Sequence, residues 1–255
     1  MRFGFIGTGD LAVYTIRGLR HGGYSDNILL SPRNSDKAAL LARECDCEIA
    51  ADNQDVVNRS DAVIIATRPA HCLDALAELD IPSGKLLVSV VAGVDIETLR
   101  SALSTDIDIV RAMPVSSAEV GASPTLIYPA HDEVSRLFDY CGNALVADRE
   151  DYFNEGSVLA CVYCWFFTQF DTLIRATGEP RLPRDLSAQL VMGMARGAAE
   201  LALARQDMTP GDIADAIATD GTYSRLGLDL LLRENAFAPW HEACELLQEK
   251  LGDKT

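Results

Sequence analysis

Near its amino terminus the chain reads Phe3-Gly4-Phe5-Ile6-Gly7-Thr8-Gly9-Asp10-Leu11-Ala12. An apolar run leads into a Gly-x-Gly-x-x-Ala turn, and a pattern of helical period follows. Gly7 permits a tight turn, Gly9 lets a pyrophosphate approach the backbone, and Ala12 allows close packing of helix on strand. The alternative is a glycine-rich turn without a ligand, but a strand and a helix flank this one. The stretch therefore predicts a dinucleotide site whose phosphate-binding candidates are Gly7, Thr8, Gly9, Asp10 and Leu11.

Short apolar runs alternate with helical patterns over the rest of the first half. The predicted strands cover residues 2–7, 27–31, 48–51, 62–67, 86–91, 108–112 and 123–128. The predicted helices between them cover residues 10–21, 35–45, 53–59, 70–79 and 96–102. Strands that are apolar on both faces, with helices between them, are typical of a parallel sheet covered on both sides.

The second half has a different pattern, because no strand signal follows residue 150. Helices are predicted over residues 153–176, 183–205, 210–217, 221–234 and 240–251. The expected fold class is therefore α/β, with two domains. A Rossmann-type dinucleotide-binding domain would cover residues 1–150, and an all-helical domain for dimerisation and substrate would cover residues 151–255.

Composition limits the classes of partner. The 255 residues are 48% hydrophobic and 24% charged, which is typical of a globular protein. A net charge of −16 disfavours nucleic acid and anionic membrane surfaces. The longest apolar run, residues 158–170, is interrupted by Thr168 and Gln169, so a buried helix is expected there and no membrane span.

The amino terminus does not read as a signal peptide, so the protein is expected in the cytoplasm. Its seven cysteines are irregularly spaced and are expected to be reduced. Cys161 and Cys164 form a Cys-x-x-Cys pair, but they lie in an apolar helical pattern and are interpreted as core residues. No second Cys or His pair has ligand spacing, and no metal site is predicted.

The residues after the second predicted strand indicate which cofactor binds. A site selective for NAD usually places Asp or Glu there to bond the ribose 2′-hydroxyl, whereas this chain has Ser31, Arg33 and Asn34. A hydroxyl and a guanidinium suit a 2′-phosphate, so NADP(H) is predicted in preference to NAD(H). The alternative is that Arg33 is a solvated turn residue beside Asp36.

A set of further motifs follows in order along the chain. They are residues 52–54 (Asp-Asn-Gln), 60–69 (Ser-Asp-Ala-Val-Ile-Ile-Ala-Thr-Arg-Pro), 89–93 (Ser-Val-Val-Ala-Gly), 110–114 (Val-Arg-Ala-Met-Pro), 182–184 (Leu-Pro-Arg), 197–199 (Gly-Ala-Ala) and 218–224 (Ala-Thr-Asp-Gly-Thr-Tyr-Ser). This ordered set resembles the pyrroline-5-carboxylate reductase family over nearly the whole chain. The resemblance implies a reductase of the ring C=N of pyrroline-5-carboxylate to proline, and hence a role in proline biosynthesis. It also implies a homodimer or larger homo-oligomer formed through the helical domain.

The resemblance further implies the positions of site residues. Asn53 would lie near the adenosine of the cofactor. The ribose would lie beside Thr67, Arg68 and Pro69, and the nicotinamide near Ala92, Met113 and Pro114. The loop 220–224 would bind the substrate carboxylate through Gly221 and Thr222, with the Ser224 hydroxyl near the imine nitrogen. Further substrate-binding candidates are Val115 and Asp171.

Several positions depart from the family pattern. Val115 replaces an Asn, Arg68 a Lys, Asp220 a Pro and Thr222 a Gly. Residues 160–165 lack the family's Gly-Ser-Gly-Pro opening. A carboxylate at Asp220 would repel a carboxylate substrate if it pointed inward. A reductase of a related imine or carbonyl compound is therefore the alternative.

The candidate catalytic donors are Ser224, Tyr223 and Tyr163, each with a structural interpretation beside the functional one. Ser224 is a possible N-cap of the following helix. Tyr163 lies in an aromatic stretch more typical of a core or a dimer interface. Asp171 and Arg175 are four residues apart, and the structural alternative for Asp171 is an ion pair with Arg175.

Four other functions remain as alternatives. A hydroxyacid dehydrogenase resembling 6-phosphogluconate dehydrogenase would need a Lys in the helix at 153–174, where none occurs. An imine reductase for substrates without a carboxylate fits the altered 220–224 loop. A non-catalytic NADP-binding redox sensor and an F420-dependent reductase fit the nucleotide motif.

Overall fold

A computed structural model of the chain describes residues 1–178 and 182–252. The chain divides into two compact units, the first ending at Ala160 and the second beginning at Cys161. The helix Glu150–Thr177 begins in the first unit and continues in the second. The domain boundary predicted after residue 150 falls at the start of this helix and stays a prediction.

The first unit is built on one eight-stranded sheet. Its strands in chain order are β1 Phe3–Ile6, β2 Ile28–Leu30, β3 Glu48–Ile49, β4 Ala62–Ile65, β5 Leu86–Ser89, β6 Asp108–Met113, β7 Ser123–Tyr128 and β8 Gly142–Val146. Their order across the sheet is β3-β2-β1-β4-β5-β6-β7-β8, and β1 to β6 are all parallel. The sheet therefore has the Rossmann strand order. Strands β1 to β3 are added toward one side of the sheet, and the chain then returns to place β4 on the other side of β1.

The predicted parallel sheet is confirmed for β1 to β6, whereas β7 is antiparallel to β6. A parallel neighbour needs a crossover of about a dozen residues or more, and residues 114–122 are too short for one. The 3₁₀ helix Ser116–Val120 fills this connection. Helix Asp132–Asp139 and strand β8, which follow β7, were not predicted from the sequence.

Helices cover both faces of the sheet. In chain order those of the first unit are α1 Asp10–His21, α2 Ser35–Cys45, α3 Asn53–Arg59, α4 Cys72–Ala77, α5 Ile96–Ser101 and α6 Asp132–Asp139. A short 3₁₀ helix, Pro69–His71, precedes α4, so the predicted helix 70–79 is divided in two. Each buried strand divides its side chains between two cores, because successive residues point to opposite faces. Ile64 of β4 belongs to the core beneath α1, whereas Val63 and Ile65 belong to the opposite core.

Helix α1 packs unusually close to the backbone of the 3₁₀ helix Ser116–Val120. A Cβ atom placed on Gly18 of α1 would lie 2.1 Å from the carbonyl oxygen of Ala118. Only a residue without a side chain fits this approach. Gly18 therefore fixes the position of the helix whose amino terminus lies at the glycine turn.

The remaining helices are α7 Glu150–Thr177, α8 Arg184–Ala204, α9 Pro210–Ile217, α10 Tyr223–Arg233 and α11 Ala238–Gly252. The prediction of a buried helix at residues 158–170 is wrong for the single chain, since Phe166 and Phe167 are about half exposed. Cys164, predicted to lie in the core, is exposed as well. Apolar composition alone does not say whether another surface covers a helix.

One helix among the described residues, α7, is long and apolar enough to cross a membrane by length and composition alone. This is weak evidence for a membrane span, because helices of soluble proteins pass the same test. The first turns of α7 are part of the first unit, where Phe153 and Val158 are buried. Farther along, α7 carries the ion pair between Asp171 and Arg175.

Candidate active site

A crevice opens at the carboxyl ends of β1 and β4, where the order of the strands across the sheet reverses. It holds a cavity of about 460 Å³. The cavity is lined by Gly7, Thr8, Gly9, Arg33, Asn34, Ser35, Ala66, Thr67, Arg68 and His71. Ligands of open α/β sheets bind at this switch point. The structure thus brings together seven of the predicted cofactor residues and adds Ser35, Ala66 and His71.

The glycine turn after β1 shapes the floor of this cavity. Gly7 has a φ of +99°, and a Cβ atom there would lie 2.6 Å from the carbonyl oxygen of Ala66. By contrast, a Cβ atom on Gly9 would meet no atom within 4 Å. The first glycine is therefore required by the fold, whereas the second leaves space open at the amino terminus of α1.

Ser31 holds the glycine turn in place. It was predicted to contact the cofactor, but its side chain is only 1% exposed. Its hydroxyl oxygen accepts a hydrogen bond of 2.9 Å from the backbone N–H of Gly7. The residue therefore links the end of β2 to the turn after β1 instead of presenting its hydroxyl to a ligand.

The neighbouring turn carries the residues predicted to select the cofactor. Arg33 and Asn34 are exposed at the start of α2, and the Asn34 side chain caps this helix by accepting from the backbone N–H of Lys37. Arg33 makes no ion pair with any residue in the described part of the chain, Asp36 included. Its guanidinium is available for an anion.

Asp10 and Lys37 form an ion pair beside the crevice. Asp10 is the first residue of α1, and its carboxylate accepts from the Lys37 ammonium on α2. A carboxylate at a helix amino terminus would repel an incoming phosphate, and the lysine offsets that charge. Asp10 was predicted from the sequence but Lys37 was not, because only the fold places the starts of the two helices together.

The loop after β4 contains a buried polar atom with weak local contacts. The Thr67 hydroxyl oxygen makes no hydrogen bond of ordinary geometry among the described residues, and the Cys72 thiol is its neighbour. Buried polar atoms are almost always satisfied, so a weakly satisfied one at the edge of a cavity marks a place for a ligand. Together with the open space at Gly9 and the free guanidinium of Arg33, it makes the crevice fit a phosphorylated dinucleotide.

The other predicted cofactor residues lie outside the cavity but at related places in the fold. Asn53 begins α3, Leu11 lies in the first turn of α1, and Pro69 begins the 3₁₀ helix after β4. Ala92 is exposed in the turn after β5, and β6 ends at Met113. Because the carboxyl ends of parallel strands share one edge of a sheet, these turns continue the line of the crevice.

The segment after β6 is more buried than a substrate site requires. Pro114 is buried, and so is Val115, a predicted substrate contact. The backbone N–H of Val115 donates to the Ser123 hydroxyl over 3.0 Å. The structure therefore places the Val115 side chain in the packing of the first unit.

The predicted catalytic and substrate residues of the second unit lie on α7 and α10. The Tyr163 ring packs edge-on against Phe167 one turn farther along, with centroids 5.3 Å apart. The Asp171 carboxylate pairs with Arg175 at 2.7 Å. The ion pair with Arg175, which was the structural alternative for Asp171, is therefore present.

The residue that caps α10 is Thr222, whereas the sequence suggested Ser224 as a possible cap. Thr222 is the cap, because its hydroxyl oxygen accepts from the backbone N–H of Arg225 at 3.2 Å. Ser224 lies in the first turn of the helix and is exposed, and Tyr223 is 94% exposed. Gly221, with a φ of +81°, makes the turn that precedes the cap. The Ser224 hydroxyl is therefore not used by the helix cap.

A larger depression, of about 670 Å³, lies at the opposite edge of the sheet. It is lined by Gly84, which precedes β5, and by residues 103–108, which lead into β6, together with Arg100. The Arg100 side chain pairs there with Asp106. This edge holds the amino ends of the strands, and the principle of the switch point places ligands at the other edge.

The described parts of the chain contain few groups suited to metal binding or thiol chemistry. Residues 1–178 and 182–252 contain no group of three or more His, Cys, Asp or Glu side chains placed to hold a metal ion. All seven cysteines are free thiols. Burial raises the pKa of the Cys141 and Cys47 thiols to about 12, so neither is a thiolate near neutral pH.

Comparisons with known proteins find similar sequences. The family described as NADP oxidoreductase coenzyme F420-dependent matches residues 2–93, which include β1 to β5. The pyrroline-5-carboxylate reductase of Pasteurella multocida is 27% identical over 242 residues, which cover 89% of this chain and 88% of that protein.

Two solved structures share the fold over nearly the whole chain. The 1-pyrroline-5-carboxylate reductase of Streptococcus pyogenes gives a TM-score of 0.87 at 22% identity, covering 98% of each chain. The pyrroline carboxylate reductase of Plasmodium falciparum, solved with NADP bound, gives 0.86 at 19% identity, covering 100% of this chain and 98% of that one. The chain is therefore a pyridine-nucleotide oxidoreductase, and it is similar to pyrroline-5-carboxylate reductases over nearly its whole length.

Proposed function

We propose that this protein is an NADPH-dependent reductase that converts pyrroline-5-carboxylate to proline by reducing its ring C=N bond. The observation that carries the proposal is the crevice at the end of β1. There Gly9 leaves open space, and the buried Thr67 hydroxyl makes no hydrogen bond of ordinary geometry among the described residues. The relatives named above give the substrate.

The chain's own residues would then have two tasks. NADPH supplies a hydride to the imine carbon when it is bound. Gly221 and the backbone around it would bind the substrate carboxylate, and the exposed Ser224 hydroxyl would bond the imine nitrogen. Because a cyclic imine is usually protonated before it is reduced, a neutral hydroxyl suffices to orient it. Tyr223 and Tyr163 are the alternative donors.

The experiment that tests the function is NADPH oxidation followed at 340 nm. Pyrroline-5-carboxylate, its six-membered piperideine analogue and a pyrroline without a carboxylate would be compared side by side. Turnover of the two carboxylates supports the proposal. Failure to turn over either of them, by a protein that still binds NADPH, would overturn it.

A Ser224→Ala variant tests the role of the hydroxyl. We expect kcat/KM for the imine to fall about tenfold to hundredfold, which corresponds to losing one hydrogen bond to a charged group, about 1.5–3 kcal/mol. The matched control is Ser101→Ala, which removes an exposed serine hydroxyl from α5 in the first unit. If kcat/KM were the same in both variants as in the wild type, Ser224 would have no part in the reaction.

The same site is proposed to prefer NADP(H) to NAD(H) through Arg33. Its guanidinium is exposed at the start of α2, in the cavity wall, where a 2′-phosphate would form charge-assisted hydrogen bonds with it.

An Arg33→Ala variant should weaken NADPH binding about tenfold to hundredfold, which corresponds to losing a charged hydrogen bond of about 1.5–3 kcal/mol. NADH binding should stay within twofold. Arg43→Ala, which removes an exposed arginine farther along α2, is the control for net charge. Fluorescence titration measures both affinities. Equal losses for the two cofactors would contradict a 2′-phosphate contact.

An imine reductase for substrates without a carboxylate is the second candidate. The specific observation is the loop 220–224, where Asp220 is exposed and the Thr222 hydroxyl is committed to capping α10. An exposed carboxylate there disfavours a carboxylate substrate. Turnover of the bare pyrroline alone in the assay above would select this function.

We further propose a cytoplasmic homodimer, or a larger homo-oligomer, formed through the helical unit. Large apolar side chains are exposed on α7, α8 and α10, and an apolar cavity of about 410 Å³ opens between α7 and α8. A second copy would cover these surfaces better than lipid would, since α7 also carries the Asp171–Arg175 ion pair. Light scattering should give a multiple of the 27.6 kDa of one chain, without detergent.

A further inference from the structure

Arg111 is the only fully buried charged side chain in the described part of the chain, with 2% of its surface exposed. It lies on β6, and the other interior residues of this strand, Ile109, Val110 and Ala112, are all apolar. Taking a guanidinium out of water is costly, and an apolar residue of similar size would fill the same space at less cost. The presence of arginine here therefore calls for an explanation beyond packing.

The partners of Arg111 come from the first two turns of α7. One guanidinium nitrogen, Nη1, donates to the Glu150 carboxylate and to the Asn154 side-chain oxygen, both at 2.8 Å. The plane of the guanidinium lies over the Phe153 ring, 4.3 Å from its centroid. Its Nε atom has no hydrogen-bond partner among the described residues. The group is held in one orientation by a few directional contacts.

The Glu150 carboxylate connects this cluster to a third segment. The oxygen that accepts from Arg111 also accepts, at 3.0 Å, from the backbone N–H of Ile96. Ile96 is the first residue of α5 and follows the turn after β5 directly. One carboxylate oxygen therefore joins the end of β6, the start of α5 and the start of α7.

The family resemblance implies that the joined segments flank the nicotinamide. The turn with Ala92 lies between β5 and Ile96, and Met113 is two residues beyond Arg111 on β6. Both were identified as nicotinamide neighbours from the family resemblance. The guanidinium does not line the crevice cavity itself, so any effect on the cofactor must pass through these segments.

We propose that Arg111 is a positioning residue for hydride transfer, which acts through Glu150 to fix the turn at Ala92 and the end of β6 against the nicotinamide ring. This inference rests on the proposed NADPH-dependent function. An apolar residue could fill the space but could not hold the carboxylate that joins the three segments. Lysine would keep the charge but would lose the planar group that lies over Phe153 and the fixed direction of its donors.

The test compares Arg111→Lys with the wild-type protein. We expect the Kd for NADPH to stay within threefold, because the adenosine and phosphate contacts lie at the other end of the crevice. We expect kcat for the imine to fall about tenfold to hundredfold, as small misplacements of reacting atoms do. The primary isotope effect with NADPH deuterated at C4 should rise, because hydride transfer becomes slower than the other steps.

A second readout does not depend on turnover. Time-resolved anisotropy of bound NADPH reports the motion of the nicotinamide, and Arg111→Lys should add a fast component to its decay. The control is Arg17→Lys, because Arg17 also pairs with two carboxylates in the first unit, those of Glu44 and Glu119. Asn154→Ala serves as the milder variant if Arg111→Lys does not fold, since it removes one contact of the guanidinium without removing its charge.

The outcomes separate the inference from the function on which it rests. Unchanged kcat and unchanged anisotropy would overturn the positioning role. So would parallel losses of stability, NADPH affinity and kcat, since these would show a structural role only. A wild-type protein that binds NADPH but reduces no imine overturns the proposed function, and the anisotropy still decides the role of Arg111. A wild-type protein that does not bind NADPH overturns both.

Discussion

A Gly9→Ser substitution lowers the affinity for NADPH at least tenfold and leaves the melting temperature within about two degrees of the wild type. The backbone at Gly9 is extended, with φ −77° and ψ −175°, a conformation open to any residue. Serine is also a favoured residue at this position before a helix. Its Cβ atom would enter space that is open in the structure and that the cofactor phosphates need. Such an overlap costs about 1–3 kcal/mol, or roughly tenfold to hundredfold in affinity.

Fluorescence titration with NADPH and a thermal melt without it measure the two parts of this result. Gly211→Ser is the matched control, because Gly211 lies in the first turn of α9 and a Cβ atom there makes only an ordinary contact of 3.6 Å. Undiminished NADPH affinity in Gly9→Ser would show that the cofactor does not approach this turn. A melting temperature several degrees lower would show that the turn itself is strained.

A Gly18→Ala substitution has the opposite profile, because it destabilises the fold. The added Cβ atom would lie 2.1 Å from the carbonyl oxygen of Ala118, and a backbone atom cannot move aside as a side chain can. We expect a loss of about 3 kcal/mol in the free energy of unfolding, which lowers the melting temperature by roughly 6–12 °C. Urea denaturation of the first unit, followed by tyrosine and NADPH signals, measures it.

The same substitution at Gly227 of α10 is the control, since a Cβ atom there meets nothing within 4 Å. Alanine in a helix interior is favoured over glycine by up to about 1 kcal/mol, so Gly227→Ala should be neutral or stabilising. Saturating NADPH should restore part of the stability of Gly18→Ala, about 2.7 kcal/mol at a hundred times the Kd. Unchanged stability in Gly18→Ala would mean that α1 can move away from the 3₁₀ helix at low cost.

Local signals in the sequence were sufficient for many of the elements. Helices α1, α2, α3 and α9 have the predicted bounds. Three of these have a capping side chain that the sequence displays, namely Asn34 before α2, Asp52 before α3 and Thr209 before α9. Strand β8 was missed because it is a mostly exposed edge strand whose apolar run, residues 144–147, is short.

The crevice at the end of β1 was predictable because its essential parts follow one another in the chain. The glycine turn and Arg33 are local features with a known physical purpose. Contacts between distant segments were not predictable. The Ser31 hydroxyl is taken by the backbone of Gly7, Lys37 neutralises Asp10, and Arg111 meets Glu150 only because β6 and α7 pack together. The one available signal was Arg111 itself, a charge in the middle of an apolar strand.

The buried Ser31 hydroxyl limits how the nucleotide preference of this enzyme can be changed by design. Enzymes that use NAD usually carry an acidic residue at the end of the second strand, and the obvious design would replace Ser31 with Asp. Here that change would bring a larger, charged group into a fully buried position and would disturb the bond that holds the phosphate-binding turn. A route to altered cofactor use must therefore begin at the exposed positions 33 and 34, where substitutions leave the turn intact. Ser31 holds the turn, and the exposed positions 33 and 34 can be changed without disturbing it.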